Sequence, residues 1–195
     1  MELANYKPVY FTFGRFQPCT WGHEENFRSL KTIADGNDWF IIPSPSVGDA
    51  ENPLPAEVRI KYMKKALPWA SDHLLLPSYV TRSGANNPVV ASIQSLQDMG
   101  YDKCYMVVGS DRVNAFSWTK RRNGIDYAFY DYDIISSGKR DADGDTFRIS
   151  GTKMRRAAVA GDYKSFKEGM PKPLSESDTK KLMEEIKSRM PADYK

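Results

Sequence analysis

Apolar residues in this chain fall into two kinds of pattern. Short unbroken runs, "PVYFTF" (8–13), "WFII" (39–42), "HLLL" (73–76), "KCYMVVG" (103–109) and "DYAFY" (126–130), have the length and composition of buried strands. Between them, apolar side chains recur at helical spacing. Residues 21–34 put Phe27, Leu30 and Ala34 on one stripe, with Gly36 as the stop. Residues 56–67 carry Val58, Tyr62 and Ala66 on a stripe, flanked by Met63 and Leu67. A third helix is predicted over 89–100, ending at Gly100, and a later one over 175–190 aligns Leu182, Ile186 and Met190. Strand and helix in alternation predict an α/β chain with a doubly wound parallel sheet. Ligands of such sheets bind beyond the carboxyl ends of the strands, where strand passes to helix.

Loops and composition narrow the picture. The stretches 46–55 and 136–146 are rich in Gly, Pro and Asp and read as mobile loops. Asp141, Asp143 and Asp145 resemble the start of a calcium loop, but Thr146 and Thr152 stand where glycine and the closing glutamate are required, so that reading fails. There is no internal repeat and no second core. At 195 residues, 41% of them hydrophobic and 27% charged, the chain is long enough for one well-filled domain. Cys19 and Cys104 are too few for a disulfide framework and read as free thiols in a reducing compartment. A net charge of +3 suits an anionic ligand, and with only short basic clusters at 120–122 and 153–156 nucleic acid is not expected as a partner. No run is apolar enough for a membrane span and "MELANYKPVY" has no signal-peptide layout, so a cytoplasmic protein without membrane contact is expected.

Two junctions carry candidate chemistry. In "FGRFQPCTWGH" (13–23), Gly14 is expected to turn the chain sharply after a strand and to let backbone N–H groups approach a ligand. The helix that follows offers unpaired N–H groups and a positive dipole end, with His23 in its first turn and Arg15 adding charge. In "ISGTKMRRA" (149–157), Ser150 and Thr152 open another helix, and Thr152 and Arg155, three apart, share a face. Hydroxyls, a helix N-terminus and a guanidinium make a phosphate clamp. Each junction alone could equally be an ordinary capped helix. Cys19, near a helix N-terminus, could favour its thiolate. Zinc ligation is not expected, because only Cys19 and His23 have usable spacing, and no metal-binding residue is assigned.

Taken together and in this order, the two stretches resemble the nucleotidylyltransferase superfamily. "GRFQPCTWGH" is similar to its G-R-F-Q-P-x-[HT]-x-G-H signature and "ISGTKMR" to its I-S-S-T-x-x-R signature, over roughly residues 8–160. Thr20 stands where many members carry a first histidine, although some, pantetheine-phosphate adenylyltransferases among them, carry threonine there, and Gly151 replaces a serine at what is expected to be little cost. The resemblance implies a Rossmann-like domain over 1–160, with 161–195 as a C-terminal helical extension packed on it. It implies transfer of a nucleotidyl group from ATP or CTP to a phosphate, with release of pyrophosphate. Carried over residue by residue, Phe13, Gly14, Arg15, Phe16, Gly22, His23, Ser150, Thr152 and Arg155 would bind ATP. His23, Thr20 and Arg155 would serve catalysis, and Mg²⁺ would arrive with ATP.

A third stretch, "VVGSDRVNAFSW" (107–118), is similar to the G-x-D…F-x-x-W pattern of nicotinamide-mononucleotide adenylyltransferases. It implies an acceptor site in which Gly109 and Asp111 serve ribose hydroxyls and Trp118 stacks on a cationic ring. Asp111 and Trp118, about two helical turns apart, are expected to face one pocket, although Trp118 could simply be core. "NPLPAEVRIKYMKKAL" resembles the family segment that would place Arg59 near the acceptor, while its own pattern reads as a surface helix charge. The expected reaction gives NAD from ATP and nicotinamide mononucleotide. A pantetheine-phosphate or cytidylyltransferase-like enzyme, or a non-catalytic nucleotide-binding or assembly protein, stays open, as does homo-oligomerisation. Residues 150–171 also look similar to phage-encoded relatives.

Overall fold

The computed structural model describes residues 4–81, 86–138 and 149–194. In chain order the elements are β1 (Pro8–Gly14), α1 (Trp21–Ala34), β2 (Asp38–Pro43), α2 (Ala56–Ala66), α3 (Pro88–Asp98) and β3 (Lys103–Val108). There follow α4 (Val113–Phe116), α5 (Trp118–Arg121), β4 (Asp131–Ser136), α6 (Gly151–Ala160), α7 (Tyr163–Glu168) and α8 (Glu176–Arg189). The chain divides into two compact units. Asp141, Asp143 and Asp145 lie outside the described residues, as does most of the 136–146 loop.

The first unit is built from the described parts of Met1–Phe13, Asn26–Ile42 and Leu75–Arg140. Its sheet has the order β2-β1-β3-β4, with β1 parallel to β3 and β3 parallel to β4. This is the doubly wound, Rossmann-like arrangement, whose strand order reverses between β1 and β3. Strand side chains alternate between faces, so Val9 and Phe11 of β1 share a face with their register partners Cys104 and Met106 of β3. All four are fully buried, together with Val90, Ile93 and Leu96 of α3. On the opposite face Tyr10 and Tyr105 meet ring to ring, with centroids 5.0 Å apart. Asn87 caps α3 by accepting from the Val89 and Val90 amides, and Pro88 occupies the first turn, where no N–H is missed.

Two expected strands are corrected. "DYAFY" (126–130) is not a strand, and β4 begins after it, at Asp131. Side-chain amides take the place of a ladder there: the Phe129 N–H donates to Asn123 Oδ1 at 2.8 Å, and Gln94 Nε2 donates to the Asp126 carbonyl at 2.8 Å. Tyr127 and Phe129 still reach the core, which is why the apolar pattern looked strand-like. The run 73–76 is also not a strand. A 3-10 turn, Pro68–His73, leads into it and Pro77 follows, so pairing there is confined to a bridge at Leu74, with the Leu75 N–H donating to the Ile41 carbonyl at 3.0 Å.

The second unit is built from Gly14–Glu25, Pro43–Leu74 and the described part of Asp141–Lys195. α6 packs on α7 and α8, and α7 on α8. Leu182, Ile186 and Met190 are buried, as their spacing predicts, with Met63, Leu67, Phe166 and Leu174 also buried in this unit. α6 stops at Gly161, whose φ of 70° is the left-handed conformation that closes a helix. Among the described residues no helix is long and apolar enough to cross a membrane.

Candidate active site

The first junction folds as a loop pinned from several sides. Gly14 is not the turn residue: the left-handed residue is Phe16, at φ 49°. Glycine is required at 14 for another reason. A Cβ there would stand 2.7 Å from Cε1 of the Phe16 ring, which lies back over the end of β1. The same ring meets His23 edge-on, centroids 5.2 Å apart.

Thr20 orients His23. Its main-chain N–H donates to His23 Nδ1 at 3.0 Å, with its hydroxyl 3.2 Å from the same nitrogen. A nitrogen that accepts from a main-chain N–H carries no proton, so the neutral imidazole holds its proton on Nε2. Nε2 is therefore the ring's donor. The Trp21 N–H at the start of α1 donates to the Gly169 carbonyl at 3.1 Å, and the Trp21 indole to the Glu168 carbonyl at 3.2 Å.

Gln17 has no role that the sequence alone suggests, yet it is 3% exposed and joins three segments. Its side chain clasps the Leu54 backbone, accepting from the N–H at 2.9 Å and donating to the carbonyl at 2.8 Å. Its own carbonyl accepts from Arg155 Nη1 at 2.9 Å. That bond ties the first junction to the second, 138 residues on. Arg155 Nη2 also donates to Thr152 Oγ1 at 3.3 Å, while the buried Nε has no hydrogen-bond partner among the described residues. Burial first, and then the Arg15 charge, hold the Arg155 guanidinium below its ordinary value. A buried cation beside a second cation favours an incoming anion.

Gly151 contributes more than the small effect expected of it. A Cβ there would stand 3.0 Å from Arg155 Nη1 and 3.4 Å from the Gln17 carbonyl oxygen, crowding the bond that joins the junctions. Ser150 caps α6 by accepting from the Lys153 N–H at 3.3 Å, which leaves its hydroxyl proton to donate. Arg15 is exposed and paired with Glu51 at 2.7 Å.

Arg59 is a correction. Its pattern reads as a surface charge, but it is 2% exposed. Its guanidinium donates to the carbonyls of Arg15, Ser44 and Leu54. Sequence spacing hides this, because the partners lie in two loops, after β1 and between β2 and α2, that only the fold brings to one side chain. Cys19 is buried, and burial, then Glu24, push its thiol up, against the expectation of a favoured thiolate. Among the described residues no three or more His, Cys, Asp and Glu side chains are grouped to hold a metal ion.

All of these residues belong to the second unit. Gly109, Asp111 and Trp118 belong to the first. Asp111 is exposed in a 3-10 turn, Ser110–Arg112, and Trp118 is half-buried against the first unit's core. The segment is broken into that turn, α4 and α5, so the two-turn helical spacing expected between Asp111 and Trp118 does not hold. Phe13 also packs against that core, and Gly22 sits in the first turn of α1.

A family model described as cytidylyltransferase-like matches residues 11–157, and the chain belongs to that family. No curated protein sequence matches significantly. Among solved structures, a bifunctional NMN adenylyltransferase/ADP-ribose pyrophosphatase from Francisella tularensis superposes with a TM-score of 0.63 at 14% identity, covering 94% of this chain and 52% of that one. This chain thus spans about half the length of that enzyme. A second structure of it, complexed with AMP and an Mn ion, gives 0.57 at 14% identity, covering 93% and 52%. The nicotinic acid mononucleotide adenylyltransferase of Plasmodium falciparum, complexed with APC, gives 0.53 at 16% identity, covering 91% and 94%. At these identities the likeness is one of fold.

Proposed function

We propose that this protein is an adenylyltransferase that joins AMP from ATP to nicotinamide mononucleotide, giving NAD and pyrophosphate. The observation that carries the nucleotidyl-transfer reading is the bond from Arg155 to the Gln17 carbonyl, which holds both family motifs in one site. An oxygen of the acceptor's phosphate attacks the α-phosphorus of ATP in line, the bond from that phosphorus to the bridging oxygen breaks, and pyrophosphate leaves. Such a transfer needs placement and charge stabilisation more than acid–base work. His23, fixed through Nδ1, donates from Nε2 to the α-phosphate, where charge builds. The amides around Gly14, Arg15 and Phe16 serve the same charge. Arg155, Ser150 and Thr152 hold the β- and γ-phosphates, and Arg15 exchanges Glu51 for phosphate. Mg²⁺, arriving with the nucleotide, would supply further positive charge at the β- and γ-phosphates that Arg155, Ser150 and Thr152 would hold. The cations and hydroxyls of this site suit a metal carried by the nucleotide.

The acceptor rests on the third motif, with Gly109 and Asp111 at the ribose and Trp118 at the pyridine ring. The structural neighbours that act on NMN or nicotinic acid mononucleotide support it. The test is a matrix of ATP and CTP against nicotinamide mononucleotide, nicotinic acid mononucleotide, phosphopantetheine and phospho-alcohols, with pyrophosphate followed continuously. ATP with nicotinamide mononucleotide is expected to give the highest kcat/KM. Preference for phosphopantetheine or for CTP overturns the acceptor or donor, and silence throughout overturns the enzyme reading in favour of a nucleotide-binding protein.

A further inference from the structure

Arg59 is buried to 2% exposure in the first turn of α2, and no step of the transfer uses it. A buried guanidinium is costly to desolvate unless its donors are met. Here they are met by main-chain carbonyls from three places: Nε donates to Leu54 at 3.0 Å, Nη1 to Arg15 and Nη2 to Ser44. Leu54 is the residue whose backbone Gln17 clasps, and the Ser44 N–H donates to the Gly14 carbonyl at 2.7 Å. The struts that reach the first motif from Ser44 and Leu54 therefore end on residues Arg59 holds.

The Arg15 contact has a geometric consequence. In a trans peptide the C=O and the next N–H point to opposite sides of one plane. Turning the Arg15 carbonyl inward onto Arg59 therefore turns the Phe16 N–H outward, away from α2. Phe16, at φ 49°, then reverses the chain, as in the backbone concavities that gather N–H groups around anions. A charge-assisted bond makes that peptide orientation about twice as strong as a neutral partner would.

We infer that Arg59 is a positioning residue for nucleotidyl transfer, setting the peptide plane between Arg15 and Phe16 so that the motif's amides face the α-phosphate. The inference rests on the nucleotidyl-transfer reading of the site. It differs from a role in which Arg59 touches the acceptor, and the two separate in kinetics.

The test uses Arg59→Lys, which keeps the charge but cannot reach all three carbonyls, and Arg59→Met, which keeps the bulk. In folded Arg59→Met, kcat should fall by about 10²-fold, the scale of a misplaced reacting group. Arg59→Lys should lie between it and the wild type, and the acceptor KM should change less than about twofold in both. Amide hydrogen exchange over residues 13–19 should accelerate in both variants while exchange across β3 stays unchanged. An acceptor KM that rises with kcat intact overturns the inference in favour of acceptor contact. Exchange over 13–19 that stays at the wild-type rate in folded Arg59→Lys also overturns it. If the wild type transfers nothing to any acceptor, the functional reading fails, and the exchange experiment still decides whether Arg59 holds the loop. If Arg59→Met does not fold, Arg59→Lys supplies both readouts.

Discussion

A histidine that accepts a main-chain N–H at Nδ1 carries its proton on Nε2, and His23 is such a residue. Removing it in His23→Ala should lower kcat by about 10²-fold or more, with the fold intact, the usual scale for one lost transition-state donor. Thr20→Val tests a finer point. The Thr20 main-chain N–H would still orient the ring, and only the hydroxyl at 3.2 Å would go, so a fall of less than about tenfold is expected. Steady-state kinetics on both variants check the pair, and a Thr20→Val loss as deep as that of His23→Ala would mean that the hydroxyl itself meets the phosphate. Glu51→Gln should have the opposite sign. The Arg15–Glu51 pair is exposed at both ends, so it is worth about 0–1 kcal/mol, and losing it should lower the ATP KM by at most about fivefold. A raised ATP KM in Glu51→Gln would show that Glu51 helps the nucleotide bind. The motif makes His23 and Arg15 candidates because it places them in one short stretch, and the resemblance alone points to Arg59. The contacts of Gln17, Glu51 and Arg59 were not legible, since each reaches a segment that only the fold brings to it.

At the scale of elements, the start of α1 and the body of α6 share a neighbour in Gly169. Its carbonyl accepts from the Trp21 N–H, and a Cβ on it would stand 2.2 Å from the Met154 sulfur. Gly169→Ala should therefore destabilise the protein by about 1–3 kcal/mol, the ordinary cost of overpacking. Met154→Ala in the same chain should recover part of that loss, giving a non-additive double-mutant cycle in urea unfolding. Additive losses would show that Met154 already moves aside. Helices were read well from sequence. α1 spans the expected residues 21–34, and α2, α3 and α8 lie within a residue or so of their patterns, because each has a buried stripe and a clear stop. Strands were read less well where side-chain amides replace ladder bonds, as Asn123 and Gln94 do around 126–130. The motifs stood out since a glycine, two helix openings and a cation fall at fixed offsets. Asp111 and Trp118 misled on spacing, because the stretch between them is two short helices and a 3-10 turn.

Across the whole chain, several tyrosines hold their protons more tightly in the folded state than their ordinary value of 10.0. Burial is the leading cause for Tyr101, Tyr105, Tyr127 and Tyr132 alike. Above pH 10 the unfolded chain loses these protons first, so it binds fewer of them than the folded chain and stability falls as pH rises. Below that point the contribution is fully present. The thermal midpoint should be nearly level from about pH 8 to 9 and decline beyond about 10. Tyr132→Phe should flatten the decline, since it removes a hydroxyl that donates to Thr119 Oγ1 at 2.9 Å and titrates late. Calorimetry at fixed ionic strength checks this, and a midpoint that holds to pH 11 would contradict it. The α/β plan follows from alternating patterns spread along the sequence, whereas the division into two units does not, because each unit draws on three separate stretches of chain. The proposed transfer turns on one bond, between the α-phosphorus of ATP and its bridging oxygen. The most direct measurement is to supply ATP labelled at the α-phosphorus, with nicotinamide mononucleotide, and to follow the label. The account predicts that it enters a dinucleotide in step with unlabelled pyrophosphate, and that His23→Ala slows both together. Label recovered as free AMP or ADP, with no dinucleotide formed, would contradict it.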